Sequence, residues 1–226
     1  MKVGFIGLGH MGGPMCRNII KGGHEVRVHD LSDAAVQTCV AVGGIPAGSV
    51  AGAVSGSEVV MTSLPMPKDV EAVALGPDGI LENAVAGTIY VDLSTNSPAM
   101  MKKIADKMAE EDVIALDGPV SGGVVGAEKA TIAIMVGGNK KAFDSCMPIF
   151  ESFGKTIVHT GELGSGCVAK IVNNMIAFTN MVAAAEGLMM GVAAGMDAAV
   201  LNEIVRNSSG NSMSYRGVAK SALERD

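Results

Sequence analysis

A single lysine stands near the start of a long apolar segment. Lys170 lies in the stretch GSGCVAKIVNN, residues 164 to 174. On a helix, Asn173 and Asn174 would share its face, because residues three and four apart are neighbours. Burial and the positive end of a helix both disfavour a charged amine, so we expect the pKa of Lys170 to fall toward the range useful for proton transfer. A lysine that reaches back to water or forms an ion pair would explain the same pattern.

A second cluster, DGPVSGG at residues 117 to 123, follows a predicted strand. It places the Ser121 hydroxyl beside the amides of Gly122 and Gly123. Such a concave group of donors suits a small carboxylate. The alternative is an ordinary glycine-rich turn, which the spacing alone slightly favours.

Three glycines form GxGxxG between the first predicted strand and the helix after it. Gly7 permits the tight turn, Gly9 lets the backbone approach a pyrophosphate, and Gly12 lets the helix pack on the strand. Free amides and the helix dipole would then receive the phosphates. The alternative is that these glycines serve close packing alone.

A carboxylate ends the second predicted strand. Asp30 lies 21 residues after Gly9, where it would accept hydrogen bonds from both ribose hydroxyls and repel a 2′-phosphate. This position favours NAD over NADP. A role as a simple turn cap is the alternative.

The stretch DLSTNSP, residues 92 to 98, comes after another strand, at the edge where open α/β sheets bind ligands. Ser94 or Thr95 is placed to contact the nicotinamide ribose, whereas Ser97 is predicted to cap the next helix. Neither the four histidines nor the four cysteines have metal-ligand spacing, so we predict no metal site and buried reduced thiols. These residues are His10, His24, His29, His159, Cys16, Cys39, Cys146 and Cys167.

Strands and helices alternate through the first two thirds of the chain, which favours a doubly wound, mainly parallel sheet. We expect the strands up to residue 92 to pair in parallel, and Pro65 and Pro67 to mark a loop. The predicted strands are 3–6, 24–29, 59–64, 88–92, 113–116, 132–136 and 156–158, and the predicted helices are 11–21, 33–42, 97–111, 140–153 and 197–207.

From Gly164 the pattern changes to roughly thirty residues of Ala, Met, Val and Ile with no strand break. We predict a long buried helix here. Its polar positions argue against a membrane span; they are Lys170, Asn173, Asn174, Asn180 and Glu186. The resulting division is a dinucleotide-binding domain over 1–163 and a helical domain over 164–226, which we expect to be truncated.

Composition limits the partners. The net charge is −6 at pH 7, and the basic residues are scattered, so neither nucleic acid nor an anionic membrane is expected as a partner. The first residues predict a strand and lack the pattern of a signal peptide. We therefore expect a cytoplasmic protein.

Taken together, GFIGLGHMGGPM, DLSTNSP, DGPVSGG and GSGCVAKIVNN resemble the β-hydroxyacid dehydrogenase family. The likeness runs over essentially the whole chain, although members of that family are usually longer and carry a further cofactor-contacting lysine that this sequence lacks. The resemblance implies a Rossmann domain, a long interdomain helix and an all-helical domain, assembled as homodimers or homotetramers. It also implies NAD-dependent hydride transfer between a short hydroxy acid, such as 3-hydroxyisobutyrate or glycerate, and its semialdehyde or oxo acid.

The resemblance also assigns roles to residues. Lys170 would be the catalytic acid and base, Asn174 would orient the substrate, and Ser121, Gly122 and Gly123 would hold its carboxylate. The cofactor would contact Gly7, Leu8, Gly9, His10, Met11, Gly12, Asp30, Leu64, Pro65 and Thr95. Imine reductases of this fold replace the lysine, which is present here.

Two other functions stay open. A noncatalytic NAD-binding scaffold would use the same fold without turnover. A dehydrogenase of the 6-phosphogluconate type would need a basic pocket for the phosphate, and no cluster of Arg and Lys stands near Ser121 or Lys170 in the sequence.

Overall fold

The computed structural model describes residues 1–224. The strands are β1 (Lys2–Ile6), β2 (Glu25–His29), β3 (Ile45–Pro46), β4 (Val59–Thr62), β5 (Ile89–Asp92), β6 (Ile114–Asp117), β7 (Val120–Ser121), β8 (Ile132–Gly138) and β9 (Gly154–Gly161). The helices are α1 (Gly12–Lys21), α2 (Asp33–Val40), α3 (Val50–Val54), α4 (Pro67–Leu75), α5 (Ile80–Asn83), α6 (Pro98–Ala109), α7 (Gly123–Glu128), α8 (Lys140–Phe153), α9 (Ser165–Ala193), α10 (Ala198–Arg206) and α11 (Met213–Glu224).

One sheet organises the first compact unit, Met1–Lys170. Its strand order is β3-β2-β1-β4-β5-β6-β8-β7, with β9 paired to β8. The six strands from β3 to β6 are parallel, whereas β8 runs antiparallel to β6 and β7. The predicted mainly parallel, doubly wound sheet is therefore confirmed, and so is the parallel pairing of the strands up to residue 92.

Both faces of the sheet are buried, because helices cover it on both sides. Side chains alternate along a strand, so Val59 and Met61 join one core cluster and Val60 joins the other. Helices α1, α2 and α8 pack on the first cluster, and α3 to α6 on the second. The core is aliphatic and Met-rich, with Phe5, Phe150 and Phe153 among its largest fully buried side chains.

Proline and serine set the helix starts near the sheet edge. Ser97 caps α6, where its hydroxyl accepts a hydrogen bond from the Met100 amide at 3.1 Å, as predicted. Pro67 is the first residue of α4. The prediction of a loop there is wrong at Pro67, because proline fits the first turn of a helix, where its missing N–H has no helical partner.

The long helix α9 extends from the first unit into the second, which begins at Ile171. In the second unit, Tyr215 and Ala219 of α11 pack against Ala184, and the Ser214 hydroxyl donates to the Ala177 carbonyl at 2.9 Å. The predicted long helix is confirmed. The domain boundary between 163 and 164 stays a prediction.

Most of α9 is exposed, so the prediction of a buried helix is wrong. Met175 and Phe178 expose 64% and 59% of their surface, because α10 and α11 cover only one stripe of the helix. By length and mean hydropathy, 1.4, α9 is long and apolar enough to cross a membrane. Core helices of soluble proteins share that property.

Candidate active site

The strand order places the predicted cofactor residues along one edge of the sheet. Strand β1 lies between β2 and β4. The chain adds β2 and β3 on one side of β1 and then crosses to add β4, β5 and β6 on the other side, so the strand order reverses at β1. Open α/β sheets bind ligands at the carboxyl ends of the strands at such a point. The loops after β1, β4, β5 and β6 all leave from this edge, so the structure brings the glycine loop, Leu64 and Pro65, DLSTNSP and the start of DGPVSGG to the same side of the sheet.

The glycine loop after β1 is tightly packed except at one position. A Cβ on Gly12 would lie 1.9 Å from the Gly7 carbonyl oxygen, and a Cβ on Gly7 would lie 2.4 Å from the Ser63 carbonyl oxygen. Gly7 also has φ +92°, in the left-handed region. By contrast, Gly9 is exposed and a Cβ there would meet nothing within 4 Å. Packing explains Gly7 and Gly12, but it leaves the glycine at position 9 unexplained unless a ligand approaches the backbone.

The first turn of α1 carries no side chain that would compete with a bound anion. Its cap residue, Met11, makes no side-chain hydrogen bond to the turn, and the turn contains no acidic residue. The neighbouring His10 is exposed. The N–H groups at a helix start and the helix dipole together favour phosphate. The loop therefore fits the pyrophosphate of a dinucleotide.

Asp30 joins the glycine loop to the end of β2. Its carboxylate accepts hydrogen bonds from the Leu8 amide at 2.6 Å and from the Ser32 amide at 2.8 Å. The bond to Ser32 is the turn-cap interaction considered above. An ionised carboxylate has about four acceptor positions, so two backbone bonds leave capacity for a ribose.

The structure separates the two candidates after β5. The Ser94 hydroxyl is buried and accepts the Leu64 amide at 2.9 Å, so it ties the β4 loop to the β5 loop. Thr95 is exposed at the same edge, as is Pro65, while Leu64 is half-buried. Thr95 is therefore the hydroxyl that a ligand can reach.

A buried polar network under this edge was missed by sequence reasoning. The Thr62 hydroxyl donates to the Asp92 carboxylate at 2.9 Å and pairs with the Tyr90 hydroxyl at 2.8 Å. The Asn96 side-chain amide donates to the other Asp92 oxygen at 2.9 Å. One signal for it was present in the sequence: the apolar strands β4 and β5 each end in a polar residue, Thr62 and Asp92. The network fixes the backbone that carries Ser94 and Thr95.

Ser121, Gly122 and Gly123 lie together where β7 meets α7. Both glycines have positive φ, +141° and +65°, and a Cβ on Gly123 would meet nothing within 4 Å. Ser121 is half-buried and the two glycines are exposed. The backbone conformation explains why glycine occupies both positions, and the open space leaves the turn accessible to a small ligand.

Asp117, the last residue of β6, holds the start of α9. Its two carboxylate oxygens accept the Gly164 and Cys167 amides, each at 2.7 Å. Burial raises the pKa of Asp117, while these two N–H groups favour the carboxylate and limit the rise. A Cβ on Gly166 would lie 2.3 Å from the Met135 carbonyl oxygen, so the first turn of α9 packs directly on β8.

Lys170 lies on this anchored part of α9, three residues after Cys167, and is half-buried. Burial lowers the pKa of Lys170 from its usual 10.5. None of the residues from 1 to 224 forms an ion pair with it. Asn173 is exposed and Asn174 half-buried, and both belong to the second compact unit.

Known families match both parts of the chain. Residues 2–161 match the NAD-binding domain of 6-phosphogluconate dehydrogenase. Residues 164–226 match the family described as NAD-binding of NADP-dependent 3-hydroxyisobutyrate dehydrogenase.

Individual proteins agree with these matches. The chain is 43% identical to an NAD-dependent L-serine dehydrogenase and 42% identical to a 3-hydroxyisobutyrate dehydrogenase, both from Pseudomonas aeruginosa. Each alignment covers 92% of this chain and 70% of the relative. The structure of Mycobacterium tuberculosis 3-hydroxyisobutyrate dehydrogenase with L-serine superposes with a TM-score of 0.87 at 33% identity, over 94% of this chain and 72% of that one. The chain therefore belongs to the β-hydroxyacid dehydrogenase family, oxidoreductases that use NAD as their cofactor.

Proposed function

We propose that this protein interconverts a short 3-hydroxy acid and its semialdehyde, with Lys170 as the acid and base. The proposal draws on the relatives, whose names give L-serine and 3-hydroxyisobutyrate as substrates. Both molecules carry a carboxylate and a hydroxyl on the third carbon. A small acid with that pattern is the substrate class we assign.

The observation that carries the proposal is the environment of Lys170. Its amine is half-buried, its pKa is lowered by burial, and no carboxylate among the described residues neutralises it. A lysine that only reached back to solvent would keep its ordinary pKa, and one in an ion pair would have a raised pKa. An amine with a lowered pKa releases its proton more readily than an ordinary lysine does, which suits a group that must both donate and accept a proton.

Bound NAD would supply the hydride acceptor, held by the loop from Gly7 to Gly12, Asp30, Leu64, Pro65 and Thr95. When the hydroxy acid is oxidised, its O–H bond breaks and the neutral amine of Lys170 takes the proton. In the reverse direction, the ammonium of Lys170 returns that proton to the carbonyl oxygen as negative charge develops there. General acid–base catalysis of this kind contributes about 10²- to 10⁴-fold in rate.

Ser121, Gly122 and Gly123 would hold the substrate carboxylate through the hydroxyl and the backbone amides. The positive φ of both glycines and the open space at Gly123 support this assignment. Asn174, one helical turn after Lys170, would orient the substrate. A homodimer or homotetramer in the cytoplasm stays the predicted assembly and location.

A substrate panel tests the function. Purified protein is mixed with NAD and with 3-hydroxyisobutyrate, L-serine or glycerate, and NADH formation is followed by absorbance. We expect turnover with at least one of these acids, and none with 6-phosphogluconate, since residues 118–127 contain no Arg or Lys to hold a phosphate. NADH binding without turnover of any acid would indicate a scaffold, and turnover of 6-phosphogluconate alone would overturn the assigned substrate class.

A further inference from the structure

One side chain of α1 reaches across to the end of α7. The half-buried Asn18 donates a hydrogen bond from its side-chain amide to the Ala127 carbonyl at 2.7 Å and a longer one to the Glu128 carbonyl at 3.5 Å. Both carbonyls belong to the last turn of α7, 109 and 110 residues later in the chain. Asn18 therefore connects two helices that are neighbours only in the folded protein.

The end of α7 needs a partner from outside the helix. The last carbonyls of a helix have no acceptor role within it, so another group must satisfy them. The backbone supplies the Ala127 carbonyl with a long hydrogen bond, 3.4 Å from the Ala130 amide. Ala130 itself has φ +54°, in the left-handed region, where a residue with a Cβ is strained. The amide of Asn18 is the shorter and better-placed donor to this turn.

Few buried contacts hold α7 in place. The helix has six residues, of which Gly126 and Ala127 are buried, whereas Val124 and Val125 are exposed. Helices this short are not stable by themselves. The position of α7 therefore depends on its contacts with α1 and β8, and the hydrogen bond from Asn18 is a specific part of the contact with α1.

The substrate turn, defined as Ser121–Gly123, leads directly into α7. On the side away from α7, Ser121 pairs with Ala133 of β8, which fixes one end of the turn. A six-residue helix is about 9 Å long, so a displacement at the far end of α7 is transmitted to the other end of the turn.

The helix that carries Asn18 also begins at the cofactor loop. α1 starts at Gly12, and Asn18 follows less than two helical turns later. The same helix thus presents its first turn to the proposed pyrophosphate position and its middle to the end of α7. This arrangement relates the position of the substrate turn to that of the cofactor loop.

We propose that Asn18 is a positioning residue that sets the substrate turn relative to the cofactor helix. It acts through α7 and not by contact with the substrate. The inference rests on the proposed function, in which the substrate turn holds the carboxylate of the hydroxy acid. A displaced turn weakens binding of that carboxylate in the ground state and in the transition state alike, so KM rises while kcat changes little.

Asn18→Asp tests this role with almost no change in shape. Its carboxylate has no N–H to donate and faces the carbonyl oxygens of Ala127 and Glu128, so it repels the end of α7. We expect KM for the hydroxy acid to rise about 10- to 100-fold. The kcat should change little, and the Kd for NADH should stay at the wild-type value, because the first turn of α1 is unaltered.

Asn18→Ala removes the donor without adding a charge. KM should move in the same direction by a smaller factor, about three- to tenfold, the equivalent of one lost hydrogen bond. This variant carries the test if Asn18→Asp does not fold, which circular dichroism checks.

Asn83→Asp is the matched control on the other face of the sheet. The half-buried Asn83 side-chain amide also donates to a backbone carbonyl, that of Gly79 at 2.8 Å, beside α5. The same loss of an N–H donor should therefore lower stability in a similar way. KM for the hydroxy acid should stay at the wild-type value, since α5 does not contact α7.

Hydrogen exchange gives a readout that needs no substrate. Mass spectrometry follows the backbone amides of residues 122–131 in the wild type and in each variant. These amides should exchange faster in Asn18→Asp, because α7 opens more often, and at the wild-type rate in Asn83→Asp. Equal exchange in the wild type and in Asn18→Asp would overturn the inference, since α7 would then not depend on Asn18.

Ser121→Ala distinguishes failure of this inference from failure of the proposed function. This substitution removes a donor to the carboxylate, so it should also raise KM. If Ser121→Ala raises KM and the Asn18 variants do not, the substrate turn keeps its assigned role and the positioning role of Asn18 is wrong. If none of these variants raises KM, or if the wild type turns over no hydroxy acid, the proposed role of the turn fails and this inference fails with it.

Discussion

The carboxylate of Asp117 accepts the backbone N–H of Cys167 at 2.7 Å, across 50 residues of chain. The same side chain accepts the Gly164 amide, so one buried group at the end of β6 holds the first turn of the helix that carries Lys170. The sheet edge that carries the cofactor loops and Lys170, the proposed acid and base, are therefore held in one arrangement within the first unit.

Removing this anchor should destabilise the protein. Asp117→Ala leaves two buried N–H groups without their acceptor, and an unsatisfied buried group costs about 1–3 kcal/mol. We expect the free energy of unfolding, measured with urea, to fall by at least that amount. Asp106→Ala is the matched control, since Asp106 pairs with Lys102 at the surface, and its effect should stay within about 0.5 kcal/mol. Equal effects of the two substitutions would contradict the anchoring role.

Alanine substitutions at two glycines of one loop should affect different properties, stability at Gly12 and cofactor affinity at Gly9. Gly12→Ala places a Cβ against the Gly7 carbonyl and should cost about 1–3 kcal/mol of stability or more. Gly9→Ala meets no protein atom, so its stability should stay close to that of the wild type. Its Cβ would occupy the space that the pyrophosphate needs, and the Kd for NADH should rise roughly 10- to 100-fold, the equivalent of about 1–3 kcal/mol.

Urea unfolding and NADH fluorescence titration measure the two effects separately. Wild-type NADH affinity in a stable Gly9→Ala variant would show that the cofactor does not approach this loop.

The charge of Asp30 should set the choice between cofactors. Asp30→Asn keeps the shape of the side chain and removes the negative charge. A hydrogen bond to a charged group contributes about 1.5–3 kcal/mol, so NADH affinity should fall by about tenfold or more. The affinity for NADPH should rise relative to that for NADH, because the repulsion between the Asp30 carboxylate and the 2′-phosphate of NADPH is lost. The readout is the ratio of kcat/KM for the two cofactors, and a ratio equal to that of the wild type would argue against this role.

Local patterns in the sequence were sufficient for the first βαβ unit and for the long helix. The glycine loop, Asp30 and the Ser97 cap are each specified by neighbours within a turn or a strand, so type and spacing predicted them. The family resemblance added Leu64 and Pro65, which no local rule singles out.

Contacts that depend on distant residues were not predictable. Asp117 bonds to amides 47 and 50 residues away, and Asp92 accepts the Thr62 hydroxyl from β4, 30 residues away. The antiparallel direction of β8 was not predictable, because its apolar run IAIMV is like those of the parallel strands β1, β4 and β5. The exposure of Met175 and Phe178 depends on which helices cover α9, which an apolar composition does not specify.

Replacing Lys170 should separate chemistry from cofactor binding. Lys170→Ala should lower kcat by about 10²- to 10⁴-fold, since the proton donor is lost. The Kd for NADH should stay unchanged, because the cofactor residues lie on other elements. Lys102→Ala, at an exposed position of α6, serves as the control and should keep wild-type kcat.

The pH dependence of kcat for reduction of the semialdehyde, in the wild type and in Lys170→Ala, tests the central claim most directly. Burial lowers the pKa of Lys170, and the ammonium form is the proton donor. We therefore expect wild-type kcat to be highest below that lowered pKa and to fall about tenfold per pH unit above it, while oxidation of the hydroxy acid shows the opposite trend. The variant should be slow, and its profile should lack this ionisation. A Lys170→Ala enzyme with wild-type kcat, or with the same pH profile, would contradict the account.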